Sequence, residues 1–141
     1  MNKTDYLIPE ILENASKFEN RDQKIVYLRE YSSNPLKEIL KLVFDDRYVF
    51  SFDSMPPFKR SDVPTGLGMN TLFNEAKRLY IFTDSQVEKM GPLRTEQNLI
   101  ALLESLDPME TDLVVKVLTN KFDYEGIDKQ LVQDTFPGLI A

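Results

Sequence analysis

Residues 34–44 read NPLKEILKLVF, and this stretch decides the fold class of the chain. An asparagine followed directly by a proline favours a helix start, because asparagine caps the first turn and proline fits into it. The apolar residues that follow recur at the spacing of one helix face. They are Leu36, Ile39, Leu40, Val43 and Phe44. The stretch therefore predicts an amphipathic helix with one buried side.

The same pattern occurs on both sides of this stretch. Upstream, a helical stripe begins at Ile8, and Asn20 with Gln23 resembles a capping box before a second helix. Downstream, further stripes follow, Asp107-Pro108 predicts another helix start, and a last short helix is expected from about Ile127 to Asp134. We therefore predict an all-α fold, a compact bundle of about six or seven short helices.

One long internal connection interrupts the helices. Tyr48, Phe50 and Phe52 alternate with other residues, which predicts an extended piece of chain. Prolines and glycines then predict an irregular loop over residues 53–69. A loop of this length inside a compact domain is often functional. Helical patterns resume after it, so residues 1–141 are expected to form a single domain.

The composition argues against an enzyme. The chain has no cysteine and no histidine, which removes thiol nucleophiles, histidine bases, disulfides and the usual zinc ligands. Lys121-Phe122-Asp123-Tyr124 has tyrosine where a nucleotidyl-transfer lysine motif needs glycine, and Gly66-Leu67-Gly68 lacks the lysine of a phosphate-binding loop. The pairs Asp45-Asp46 and Asp107–Glu110 have the positions of helix ends and caps. We predict no catalytic residue, no metal and no cofactor.

Charge limits where a nucleic acid could bind. The net charge is −6, and residues 93–141 contain nine acidic but only four basic residues. A phosphate-binding surface must therefore be local. The candidate contacts are Lys59, Arg60, Lys77, Arg78, Lys121 and Lys129. In addition, Gly126 precedes an expected helix start at Ile127, whose backbone N–H groups would form a seat for a phosphate.

The last residues, EGIDKQLVQDTFPGLIA (125–141), carry a family resemblance. They resemble the end of the N-terminal DNA-binding domain of bacteriophage-type ATP-dependent DNA ligases, where a glycine opens a final helix before Pro-Gly-Leu-Ile. Upstream, IPEILENASKF (8–18), DQKIVYLREYSSNPLKEILKLVFDDR (22–47) and GLGMNTLF (66–73) have counterparts in the same order. The resemblance runs from about Leu7 to Ile140, and small proteins of tailed phages are also similar. The chain resembles a free-standing copy of the domain that stops where the fold is complete.

The resemblance implies an all-α module that grips double-stranded DNA through the minor groove and phosphates around a nick. Gly126, Ile127 and Lys129 would form the phosphate seat, and Lys77 and Arg78 would add contacts. The expected function is non-catalytic DNA binding in phage replication, repair or recombination. The alternative is an interaction protein that keeps the fold but binds a replication factor or a host protein. The net charge of −6 and Asp128, which stands where the family favours a small or neutral residue, support the alternative.

Two further expectations concern location and the C-terminal residues. No stretch is apolar enough to span a membrane and no signal peptide is visible, so a cytoplasmic location is expected, in the host if a phage encodes the protein. Phe136, Leu139 and Ile140 follow or flank a Pro-Gly turn, and we expect them to pack into the core.

Overall fold

The computed structural model describes residues 6–59 and 71–140, and within these ranges the chain is helical, as predicted. Eight α-helices and one 3-10 helix lie in the described residues. They are α1 (Ile8–Ser16), α2 (Arg21–Glu30), α3 (Asn34–Phe44), α4 (Leu72–Glu75), the 3-10 helix (Ala76–Phe82), α5 (Asp84–Met90), α6 (Pro92–Ser105), α7 (Pro108–Leu118) and α8 (Lys129–Thr135). None of these helices is long and apolar enough to cross a lipid bilayer.

Two of the predicted helix starts are confirmed in atomic detail. Asn20 Oδ1 accepts hydrogen bonds from the N–H groups of Asp22 and Gln23 at 2.7 and 3.3 Å. Asp107 Oδ1 accepts one from the N–H of Met109 at 2.9 Å. Each side chain satisfies backbone donors that have no partner within the first turn of a helix.

The start of α3 differs from the prediction by one residue. Ser33 has an extended backbone, and its hydroxyl oxygen accepts a hydrogen bond from the Leu36 N–H at 3.2 Å. Ser33 is therefore the cap, and Asn34 is already the first residue of the helix. Pro35 still lies within the first turn. A backbone N–H in the first turn has no partner within the helix, so the proline costs no hydrogen bond there.

Helix α3 lies at the centre of the packing, in contact with α4, the 3-10 helix, α7 and α8. Leu36, Ile39 and Leu40 are completely buried, as their spacing predicts. Towards the C-terminal end of α3, Val43 and Phe44 pack against the core but are half-buried, and Leu42, outside the predicted stripe, is buried. Because α3 has neighbours on more than one side, its buried surface is wider than a single stripe.

The extended piece after α3 has the predicted alternation. Phe50 is buried and Tyr48 and Phe52 are half-buried, whereas Val49 and Ser51 are exposed. The backbone is tied to distant residues by two hydrogen bonds, from the Asp84 N–H to the Val49 carbonyl at 2.9 Å and from the Asn120 side-chain amide to the Phe50 carbonyl at 2.8 Å. Residues 53–59 of the expected irregular loop are non-helical, and 60–69 lie outside the described residues.

Helix α8 docks on α2, far away along the chain. The Arg29 guanidinium donates to the carbonyl oxygens of Thr135 and Asp134 at 3.0 and 2.9 Å. Arg21, also on α2, forms an ion pair with the Asp134 carboxylate. Since Arg29 binds carbonyls at the end of α8, it acts as a C-terminal cap supplied by another helix.

The residues after α8 pack less deeply than we expected. Ile140 is buried, with 8% of its surface exposed, which confirms the prediction for this residue. Phe136 and Leu139 contact the core but are only half-buried. The Phe136 ring lies at the surface, where the Lys37 ammonium stands 5.4 Å from its centroid.

Candidate nucleic-acid interface

Two backbone N–H groups at the expected phosphate seat beside Gly126 are bound by the chain itself. Helix α8 begins at Lys129, two residues later than expected, and Asp128 caps it. The Asp128 carboxylate accepts a hydrogen bond from the Leu131 N–H at 2.8 Å. The Ile127 N–H donates to the Tyr124 carbonyl at 3.1 Å, and the Ile127 side chain is buried. A phosphate would have to compete with these bonds and with the negative charge of Asp128.

Gly126 has a structural reason to be glycine. Its φ is +75°, a left-handed conformation that residues with a side chain rarely adopt. A Cβ atom at this position would lie 2.5 Å from Cε of Lys24. The Lys24 side chain is buried, and its ammonium donates to the carbonyl oxygens of Ala15, Ser16 and Phe18. The glycine therefore makes room for a lysine that binds the C-terminal end of α1.

The surface beside Gly126 is acidic. A groove of about 470 Å³ between α1, α7 and residues 123–125 is lined by four carboxylates, from Glu13, Asp112, Asp123 and Glu125, and by one basic residue, Lys116. Lys116 pairs with Asp123 at 3.0 Å. Burial and the negative charges of Glu13, Asp123 and Asp112 raise the pKa of Tyr124, at the same groove, to about 12. The local field therefore repels a phosphate.

The basic residues that the sequence singled out and the structure describes have different surroundings. Lys129 lies 2.9 Å from Asp46 and forms an ion pair with it. Lys121 is exposed just after α7, and Lys59 is exposed beside α6, where its N–H donates to Glu104 at 2.6 Å. Arg60 lies outside the described residues.

Lys77 and Arg78 are both exposed on the 3-10 helix. The Arg78 guanidinium pairs with Glu75 at 3.1 Å, and its side chain keeps 71% of its surface exposed. Arg78 belongs to a surface that the sequence did not reveal.

That surface is a groove of about 400 Å³ between the 3-10 helix, α5 and α6, which we call the basic groove. It is lined by three cations and no carboxylate among the described residues, namely Arg78, Lys89 and Arg94 with Ile81, Gln86, Met90 and Asn98. Lys89 and Arg94 are exposed. In a chain with a net charge of −6, this is a local concentration of positive charge.

A sharp corner at Gly91 forms the basic groove. Helix α5 ends at Met90 and α6 begins at Pro92, and the joining glycine has a φ of +88°. Lys89 and Arg94 lie on opposite sides of this corner. No side chain caps the start of α6, and its first turn has no acidic residue. The positive end of the helix dipole therefore adds to the charge of Arg94.

Sequence reasoning missed Lys89 and Arg94, although one signal was present. A cation in the first turn of a helix opposes the dipole, so residues there are more often acidic than basic. Arg94 follows Gly91-Pro92, a reliable helix start without a capping side chain. That combination indicates a helix end that can receive an anion.

A second cavity adjoins the basic groove and has a volume of about 270 Å³. We call it the inner cavity. It shares Arg78, Ile81 and Asn98 with the basic groove, and its other lining residues are Glu75, Phe82, Ala101, Leu102 and Ser105. Its walls are mainly apolar, with the Glu75 carboxylate and the Ser105 hydroxyl among them.

The carboxylate pair Asp107 and Glu110 has a structural place. Asp107 caps α7, as expected, and Glu110 is buried with 2% of its surface exposed. Glu110 Oε2 accepts a hydrogen bond from the Leu72 N–H at 3.1 Å and so ties the start of α4 to α7. Burial is the main reason that the pKa of Glu110 rises to about 7.

Comparison with protein families identifies a family, but the function of that family is unknown. Residues 11–124 match the model of a family of unknown function, DUF6433, and the chain belongs to this family. The match ends just before residues 125–141, which carry the most distinctive part of the likeness to phage ligase domains. No curated protein matches the chain.

Proposed function

We propose that this protein is a non-catalytic DNA-binding module that acts in phage DNA replication, repair or recombination, in the cytoplasm of the host. The order of its sequence segments resembles that of phage ligase DNA-binding domains. The observation that carries the proposal is the basic groove, where Arg78, Lys89 and Arg94 line one concave surface without a lining carboxylate.

The basic groove suits a phosphate backbone better than the Gly126 seat does. Lys and Arg contacts to phosphates supply most of the sequence-independent affinity of DNA-binding proteins. Lys77 is exposed on the same 3-10 helix as Arg78 and adds a fourth cation nearby. Lys129, in contrast, is already paired with Asp46, and Asp128 stands beside it. The proposed contact surface is therefore centred on α5 and α6, with Lys121 and Lys129 outside it.

Charge reversal on the two surfaces tests this proposal. Binding of nicked and intact duplexes is measured by fluorescence anisotropy at low and at moderate salt. Arg94→Glu should weaken binding to both duplexes by about tenfold, because a phosphate contact is replaced by a repulsion. Lys129→Glu is the matched control at the Gly126 seat and should change the affinity much less.

The results separate the possible outcomes. If Lys129→Glu weakens binding more than Arg94→Glu does, the contact surface lies at Gly126, as the sequence predicted. If neither duplex binds the unmodified protein even at low salt, the DNA-binding proposal is wrong.

A second candidate function is supported by the acidic groove beside Gly126. Its four carboxylates suit a basic segment of a partner protein, such as a replication factor or a host protein. Under this alternative, a lysine- and arginine-rich peptide should bind at low salt, and Glu13→Lys with Glu125→Lys should abolish the binding. The same double variant should leave DNA binding at the basic groove intact or strengthen it. Peptide binding without DNA binding would favour the adaptor.

A further inference from the structure

We propose that the inner cavity receives a single nucleobase, so that the basic groove and the inner cavity together hold one nucleotide unit with its phosphate outside and its base inside. This inference rests on the proposed DNA-binding function and names the form of nucleic acid that the site takes: an unpaired or end nucleotide rather than a fully stacked one.

The two cavities are adjacent. Arg78, Ile81 and Asn98 line both, so the two spaces meet at these three side chains. Sites for small molecules typically have volumes of roughly 300–1,000 Å³. The inner cavity, at about 270 Å³, is slightly smaller than this range, and the basic groove has about 400 Å³. Together they offer the space of a nucleotide, whereas the inner cavity alone suits only its base.

The chemistry of the walls changes from the outside to the inside. The basic groove presents Lys89 and Arg94, which attract phosphate. The inner cavity presents the apolar side chains of Phe82, Leu102 and Ala101. A nucleotide has the same division, because its phosphate is charged and the faces of its base are apolar. Burial of those faces favours binding through the hydrophobic effect.

Polar groups at the edge of the inner cavity can bind the edge of a base. The Asn98 amide donates one N–H to Met90 Sδ at 3.1 Å and has a second N–H and a carbonyl oxygen besides. The Ser105 hydroxyl donates to the Leu102 carbonyl at 2.8 Å, which leaves its oxygen able to accept. The Glu75 carboxylate can only accept hydrogen bonds, and its side chain is mostly buried. We therefore expect a base with an amino group, such as cytosine, to bind better than thymine.

Arg78 lies at the boundary between the two cavities. It pairs with Glu75 on the inner side and keeps most of its side-chain surface exposed on the outer side. The pair holds the guanidinium where a phosphate in the basic groove can contact its remaining N–H donors.

The test uses a duplex with one unpaired cytidine, the same duplex with an abasic residue at that position, and the fully paired duplex. Ala101→Leu fills the inner cavity from an exposed position of α6, and Gln97→Leu places the same side chain on α6 outside both cavities. Circular dichroism checks that both variants are folded. The affinity of each variant for each duplex is measured by fluorescence anisotropy.

Ala101→Leu should weaken binding of the unpaired-cytidine duplex by about tenfold, equivalent to about 1.4 kcal/mol, and leave the abasic duplex unaffected. Gln97→Leu should match the unmodified protein. If Ala101→Leu and Gln97→Leu bind all three duplexes alike, the inner cavity takes no base, although the proposed DNA binding stands. If no duplex binds, the proposed function fails as well.

A separate titration with cytidine monophosphate identifies the source of the nucleotide. In one outcome, the free nucleotide binds as tightly as the unpaired-cytidine duplex and loses this binding in Ala101→Leu. That result would support the site but assign it to a free nucleotide. Much weaker binding of the free nucleotide would assign it to a nucleic-acid strand. Thymidine monophosphate that binds as well as cytidine monophosphate would overturn the role of Glu75.

Discussion

Glu110 shows how a single buried carboxylate links stability to pH. Its carboxylate is almost completely buried, where it accepts the Leu72 N–H, and its pKa is raised to about 7 by burial and by the negative charge of Asp107. In the unfolded chain the pKa returns to its ordinary value of 4.5. Between these values the folded protein binds the proton more tightly, so this residue lowers stability as the pH rises through that range.

We expect Glu110→Gln to remove most of this pH dependence. Relative to the unmodified protein, the variant should gain up to about 3 kcal/mol in the free energy of unfolding at pH 8 and much less at pH 5. Denaturant unfolding at the two pH values measures the difference. Glu96→Gln, at an exposed position of α6, is the control and should show no such change. Equal pH dependence in both variants would contradict the role of Glu110.

Gly126 gives a second expectation at the residue scale. Gly126→Ala combines a left-handed backbone with a contact of 2.5 Å between the new Cβ and Lys24, whereas Gly138→Ala has a similar φ of +83° and open space around it. Strain at such a φ costs about 1–3 kcal/mol. Gly126→Ala should therefore destabilise the protein more than Gly138→Ala in thermal unfolding. Equal losses would mean that Lys24 moves aside freely.

At the scale of helices and segments, local signals predicted most of the fold. Helix starts at Asn20 and Asp107 could be read from the sequence because a cap and its helix are neighbours in the chain. The error at Asn34 has the same origin, since Ser33 is an equally good cap one residue earlier. Val26 is an apolar residue of α2, yet 63% of its surface is exposed. The burial of α2 depends on α1 and α8, and the α2 sequence alone does not specify their positions.

The segment after α8 gives an expectation at this scale. Phe136 is half-buried, so Phe136→Ala should cost about 1–2 kcal/mol, less than the roughly 3–5 kcal/mol of a fully buried phenylalanine. Ile140 is more deeply buried, and Ile140→Ala should cost about 2–3 kcal/mol. Chemical denaturation of the two variants measures both losses of stability. Unchanged stability in both variants would show that this segment does not contribute to the core.

At the scale of the whole molecule, the two signs of charge occupy different grooves. The sequence showed that acidic residues dominate residues 93–141, but it did not show that Arg78, Lys89 and Arg94 share one surface. Their meeting depends on the corner at Gly91 and on the packing of α5 against the 3-10 helix. The contacts at Gly126 have a similar origin, because Lys24, which packs against this glycine, comes from a distant helix.

The separation of charge leads to an expectation for DNA binding. With three phosphate contacts in the basic groove, the logarithm of the association constant should fall with the logarithm of the salt concentration at a slope of about −2.7. Lys89→Gln should reduce the magnitude of the slope by about 0.9. Asp123→Asn, in the acidic groove, is the control and should leave the slope unchanged. A slope that does not respond to Lys89→Gln would exclude this residue from the contact.

The docking of α8 on α2 has a consequence for folding during synthesis. The ribosome releases α2 long before α8. The side of α2 that binds α8, including Arg29, therefore remains uncovered while about a hundred further residues are made. Native packing of the first three helices is therefore completed late, when α8 emerges from the exit tunnel. Until then Arg21 and Arg29 lack the α8 partners that they bind in the folded protein.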